Sequence, residues 1–229
     1  MTNKASLFRG LIVRGAIGFL IYAVLVFSTG TMHFWQGWTL LVLQVVLGSW
    51  MAVYFYIRDP QVLERRLLRR EKLTEQKLII LCWRILSVVS IVVAGWDHRF
   101  GWSPRYFIAV PLWVEVISFL LILTGYILHV EVLKANRFAA SIIHVEEGQS
   151  VMENGPYHLV RHPMYVGFVL MGVFSPLALG SFIAFPISLL IVPLIVFRLL
   201  SEEKLLRQNL AGYAEYCQRT PYRLIPSVW

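Results

Sequence analysis

Residues 155–203 read GPYHLVRHPMYVGFVLMGVFSPLALGSFIAFPISLLIVPLIVFRLLSEE, and this stretch decides the fold class. A polar, proline-marked loop, Gly155–Gly167, runs directly into two apolar segments, Met164–Leu179 and Phe182–Leu200. Only Gly180-Ser181 separates the two segments, so they form a tight helical hairpin or one interrupted pair. Runs of about 18 or more apolar residues mark membrane helices. The internal prolines Pro176, Pro186 and Pro193 are tolerated there when neighbours re-satisfy the freed backbone groups. Arg161 and His162 stand at one end of the pair, Arg198 and Glu202-Glu203 at the other. Charged groups at a membrane boundary are expensive unless they bind something, which makes these the first candidate functional residues.

Outward from this stretch the same signal repeats. Of 229 residues 58% are hydrophobic and 15% charged, with a mean hydropathy of +0.65. A soluble domain would carry roughly a quarter charged residues. Further apolar runs lie at Leu11–Ser28, Gly37–Ile57, Leu78–Gly95 and Phe107–Val130. The expected fold is an all-α, polytopic integral membrane protein of five or six transmembrane helices. It reads as one membrane domain over 1–229, with helices one to four in 1–130 and the polar chemistry gathered in 131–229.

Orientation follows from the basic residues. The segment 58–77 carries seven Lys and Arg, while Thr29–Gln36 carries none and Trp96–Arg105 carries only Arg99 and Arg105. The positive-inside rule places both termini, the basic segment and Glu131–Pro163 in the cytoplasm of an inner or cell membrane. The formal +8 charge suits a surface beside anionic lipid headgroups, and nothing in it calls for nucleic acid. The run Arg65–Lys72 and the helix-end arginines Arg14 and Arg84 read as solvated or snorkelling groups. The first apolar run is too long for a cleaved leader and is expected to stay as a helix. Cys82 and Cys217 are isolated and suit neither a zinc site nor a disulfide framework. Trp35, Trp38, Trp96 and Trp102 fit an interfacial aromatic belt.

In the C-terminal half, 141–145 reads as a possible short extended segment, and Gly155-Pro156 as a turn. His162-Pro163 marks a helix start, whose free amides together with Arg161 are expected to receive an anion such as a carboxylate. Beyond Arg198 the chain turns amphipathic through Leu210, Tyr213 and Tyr216. This is expected to be a cytoplasmic helix and tail folded over the site.

The motif GPYHLVRHPMYVG, the segment Arg198-x-x-x-Glu202-Glu203 and the tail Tyr213…Tyr216…Arg219…Pro221…Ile225-Pro226 together resemble the isoprenylcysteine carboxyl methyltransferase family. That family is grouped with the phospholipid methyltransferases among membrane enzymes that use S-adenosylmethionine. The resemblance covers roughly residues 130–226 and implies a cofactor pocket. Its wall would comprise Ile142, Gln149, Ser150, Val151, Met152, Tyr157, Arg161, His162, Pro163, Met164 and Tyr165, with Glu202 and Glu203. It further implies that Arg198 faces the substrate and acts as the catalytic, substrate-binding residue. Gln149 and Ser150 depart from the His or Lys usual there in the eukaryotic enzymes.

The residue types agree with that chemistry. A ligand carrying a sulfonium, an ammonium and a carboxylate needs acceptors and donors together. Tyr157 and Tyr165 offer aromatic faces to its cation, worth about 0.5–2 kcal/mol. A carboxylate acceptor needs no general base, and an arginine holds it bidentately. The expected acceptor is therefore a lipophilic or lipid-anchored carboxylate, with a lipid amine as the alternative. A nicotinamide-dependent membrane reductase of the sterol-reductase kind is a second alternative, disfavoured because Arg161 is the sole Lys or Arg in 140–165.

Overall fold

The computed structural model describes residues 4–30, 32–68, 73–136, 138 and 149–229; Ile142 and the possible extended segment 141–145 lie outside them. The described residues are helical with no strand. The elements are α1 (Lys4–Thr29), α2 (Trp35–Arg58), α3 (Pro60–Leu68), α4 (Thr74–Phe100), α5 (Trp102–Tyr106) and α6 (Leu112–Ala135). After a 3₁₀ turn (Gly155–His158) come α7 (Pro163–Val173), α8 (Ser175–Ala178), α9 (Phe185–Leu189), α10 (Ile191–Asn209) and α11 (Tyr213–Arg219).

Five helical stretches among these are long and apolar enough to cross a membrane: Phe8–Leu25, Trp35–Arg58, Thr74–Phe100, Leu112–Ala135 and Phe185–Asn209. The sixth apolar element, Pro163–Ala178, is shorter. At 1.5 Å per residue it spans about 24 Å, less than the roughly 30 Å hydrocarbon core. Pro176 interrupts its hydrogen-bond ladder, so α7 and α8 are separate pieces. The fourth expected segment also moves. Pro111, extended at φ −64° and ψ 143°, delays the start of α6 to Leu112, and the helix runs on to Ala135.

At the end away from the basic segment, polar groups hold the hairpin. Asp97, 1% exposed, accepts from the Ser103 amide at 2.6 Å, from the Ser181 hydroxyl at 2.5 Å and from the Ser103 hydroxyl. Ser181 in turn accepts from the Ala184 amide at 3.0 Å, so α4, α5 and the turn before α9 share one buried carboxylate. Glu115 accepts from the Gln36 side-chain amide, with both oxygens at 3.3 Å. It packs against Gly180, whose φ of +75° only glycine adopts freely.

The tightest helix pair is α6 with α7. A Cβ on Gly125 would stand 2.8 Å from the Gly167 carbonyl oxygen, and one on Gly167 would stand 3.0 Å from that of Gly125. Small residues let membrane helices approach backbone to backbone, where packing rather than hydrophobicity drives association. Gly125→Ala is therefore expected to force the pair apart at a cost of about 1–3 kcal/mol. A lowered thermal midpoint in detergent, with no change at the control site Gly48 (open space around its Cα), is the measurement that checks it.

Candidate active site

α10 carries two faces with different tasks. Ile191, Ile195 and Leu199 are fully buried in the helix core, while Arg198 and Glu202, one turn apart, line a cavity of about 820 Å³. Polar loop and tail residues form the cavity's polar arm: Gln149-Ser150-Val151-Met152, Tyr157, Arg161 to Tyr165, Tyr213 and Tyr216 all contribute to its lining. The rest of the lining, the apolar arm, comes from α1, α4 and α7 and is mostly apolar, with Ile21, Trp83, Val88, Ile91, Phe168 and Met171; Arg84, expected to snorkel, also lines the cavity.

The two arms meet at a short polar chain. The Tyr165 hydroxyl donates to Glu202 Oε2 at 2.6 Å. Arg198, 6% exposed, donates from Nη1 to Gln76 Oε1 at 3.1 Å, and Gln76 is itself 2% exposed. Arg198 is thus held inside the bundle rather than snorkelling at its edge. Aromatic rings wall this junction: Trp83 meets Phe168 edge to face with centroids 4.9 Å apart, and Tyr165 stands 6.3 Å from Phe168.

Glu203, the next residue, turns away from the cavity. Its carboxylate forms an ion pair with Arg161, Nε at 2.9 Å but not aligned as a hydrogen bond, and accepts from His162 Nε2 at 3.3 Å and Arg223 Nε at 3.0 Å. It ties the Arg-His-Pro loop, α10 and the C-terminal tail together from behind the wall. The tail also takes the amides of that loop: Arg161 N bonds to the Tyr222 carbonyl at 2.9 Å and His162 N to that of Arg223 at 3.1 Å. Pro163 has no N–H, and Tyr165 N and Val166 N bond back to His162 O. The tail thus takes the two amides just before the helix, those of Arg161 and His162, and none of the amides within α7.

α11 seals the polar arm. The Tyr216 hydroxyl donates to the Tyr157 carbonyl at 2.7 Å, and the Tyr157 hydroxyl accepts from Asn136 Nδ2 at 3.0 Å. Arg219 pairs with Glu153 across the rim. Burial pushes the Tyr157 phenol up to about 12 and raises those of Tyr213 and Tyr216, so all three stay neutral donors. The Tyr213 hydroxyl has no hydrogen-bond partner among the described residues although the side chain is 4% exposed. A buried hydroxyl without a partner costs about 1–3 kcal/mol.

Every expected pocket residue among the described ones lines this cavity except Glu203; Ile142 lies outside the described residues. Trp83 and Tyr22 line it without having been singled out from the sequence; Gln76, likewise not singled out, is not a lining residue but bonds Arg198. Arg66 of α3 also lines it, reaching Met164 Sδ at 3.5 Å, which sets it apart from the rest of the basic run. His129 is buried and its ring packs 4.9 Å from that of Phe168.

Residues 113–212 match the phospholipid methyltransferase family. A stretch of 118 residues is 30% identical to "Protein-S-isoprenylcysteine O-methyltransferase B" of Arabidopsis thaliana, covering 48% of this chain and 58% of that protein. A stretch of 85 residues is 32% identical to "Delta(14)-sterol reductase TM7SF2" of Mus musculus, covering 36% of this chain and 20% of that protein. The chain thus spans from one fifth to somewhat over half the length of these relatives. The resemblance carried by the GPY, RHPMY and EE motifs points to the same group as the family match.

Proposed function

With residues 113–212 matching the phospholipid methyltransferase family, we propose that this membrane protein transfers a methyl group from S-adenosylmethionine to a lipophilic acceptor, foremost a carboxylate. One observation carries this reading: a single cavity whose lining joins polar residues, Arg198 and Glu202 among them, to a mostly apolar set from α1, α4 and α7. The polar arm fits the methyl donor. Glu202 accepts from an ammonium or ribose hydroxyls, and the tyrosine faces suit adenine or a sulfonium. When bound, S-adenosylmethionine supplies an electrophilic methyl group on sulfur.

The chain's own residues then position and shield. Arg198 holds an acceptor carboxylate through its planar fork, aiming one oxygen into the polar arm. Gln76 fixes the guanidinium without neutralising it, and Tyr165 fixes Glu202. α11 and the tail keep water out. Alignment of two reactants is where most of the acceleration of an in-line displacement originates. A carboxylate arrives already deprotonated, whereas an amine must lose a proton. His162, the nearest imidazole, is engaged by Glu203. The basic segment, the C-terminal tail and the polar arm share one end of the bundle, which we assign to the cytoplasmic side.

The similarity to the sterol reductase, together with Arg66 and Arg161 beside the polar arm, favours a nicotinamide nucleotide as the second reading. Calorimetric titration of detergent-purified protein separates the two. Micromolar binding of S-adenosylmethionine, weakened about tenfold or more by Glu202→Ala through loss of a charged hydrogen bond, is expected. Binding of NADPH alone would overturn the assignment. A labelled-methyl assay on membrane lipids then identifies the acceptor class: base-labile label indicates an ester, base-stable label an amine.

A further inference from the structure

Charge in the cavity lining is lopsided. Among the described residues Arg66, Arg84, Arg161 and Arg198 line it against one carboxylate, Glu202. Arg198 is buried and bonded to Gln76, Arg66 reaches Met164 Sδ, and Arg161 pairs with Glu203. Arg84 differs from all three. It is exposed, and its side chain makes no hydrogen bond or ion pair with another described residue. α4 starts at Thr74, so Arg84 lies about 15 Å along a helix long and apolar enough to cross a membrane. A charge at that depth is costly unless it is paired or reaches the headgroups. Arg84 shares a helical face with Ile80, Val88 and Ile91, and that face lines the cavity together with Ile17, Gly18 and Ile21 of α1. Long helical side chains lean toward the helix N-terminus, and along α4 that direction leads to Gln76, which holds Arg198.

We infer that Arg84 recruits the acceptor: its charge draws an acidic lipid's carboxylate into the cavity, where Arg198 then holds and aligns it. This rests on the reading above, in which the acceptor is a carboxylate bound at Arg198. Recruitment needs only a positive charge, whereas alignment needs the planar fork, so lysine can replace Arg84 but not Arg198. Methylation ends the attraction. As the carboxylate oxygen bonds to the methyl carbon, the carbon–sulfur bond breaks with its electron pair left on sulfur, and the acceptor becomes a neutral ester. The arginine-rich lining therefore keeps the unreacted acid and releases the product.

Palmitic acid and methyl palmitate, titrated into the detergent-purified protein loaded with S-adenosylhomocysteine, which has no methyl group to give, test this. The wild type should bind the acid about tenfold or more tightly than the ester. Arg84→Gln should weaken acid binding about tenfold, leaving the affinities for the ester and for S-adenosylhomocysteine unchanged. Arg84→Lys should stay within about threefold of the wild type for the acid. An acid-to-ester ratio that Arg84→Gln does not move, as for an arginine that only snorkels, would overturn the proposal. So would equal losses for acid and ester, a lysine variant as weak as the glutamine one, or no saturable binding of the acid by the wild type. Failure of the methyl-transfer reading shows separately, as absence of S-adenosylmethionine binding by the unmodified protein.

Discussion

Arg198→Lys is expected to lower kcat/KM for a carboxylate acceptor by about 100-fold, and Arg198→Ala by about 1,000-fold or more, with S-adenosylmethionine affinity changed little. The reasoning starts from geometry. In the proposed role the Arg198 guanidinium, 6% exposed and bonded to Gln76, holds the acceptor carboxylate by charge-assisted bonds worth about 1.5–3 kcal/mol each. Lysine keeps the charge and loses the fork, and misplacing a reacting oxygen by about 1 Å costs on the order of 100-fold. Gln76→Glu provides the sharper control. A carboxylate at 3.1 Å from Arg198 Nη1 would form an ion pair and compete with the acceptor, so KM for the acid should rise more than in Gln76→Ala. Steady-state kinetics with a lipophilic acid read this out. An Arg198→Lys variant as active as the wild type would show that the arginine is only a structural anchor.

The origin of these residues explains how far the sequence could be read. Composition and hydropathy carried the helices, and the short loop-to-helix motif carried one wall of the site, because both are local signals. The junction between the arms is not local. Gln76 reads as an ordinary polar residue at a helix border, and only the packing of α4 against α10 sets its amide beside Arg198, 122 residues along the chain. One signal did lie in plain view: Gln76, Trp83, Ser87 and Ser90 recur at helical spacing, a polar stripe inside an otherwise apolar run. Asp97 was likewise read as part of a loop, yet it is the buried acceptor that anchors the hairpin turn. The helix-start amides misled for the opposite reason. Their local pattern suggests an anion site, but the two amides that precede the helix are taken by the tail, and a backbone pairing between residues 161–162 and 222–223 leaves no mark on composition.

The adjacent carboxylates should separate cleanly by experiment, because the helix turns them to opposite sides of the same wall. Glu203→Ala is expected to destabilise the protein by about 3–5 kcal/mol, the loss that follows when a buried ion pair keeps only one partner. Arg161 would remain with its side chain 5% exposed and no carboxylate, and the hold on His162 and Arg223 would go with it. Release of the tail should expose the bonds after Arg219 and Arg223 to trypsin, visible as rapid limited proteolysis in detergent, and should weaken S-adenosylmethionine binding indirectly. Glu203→Gln, which keeps the shape and hydrogen-bonding atoms but not the charge, should fall between. Glu202→Ala should do the reverse: its carboxylate holds Tyr165 and lines the cavity, so ligand binding falls while the melting midpoint and the proteolytic pattern stay near those of the wild type. If both alanine variants lose binding and stability alike, the division of labour between a cavity-facing Glu202 and a fold-clamping Glu203 is wrong.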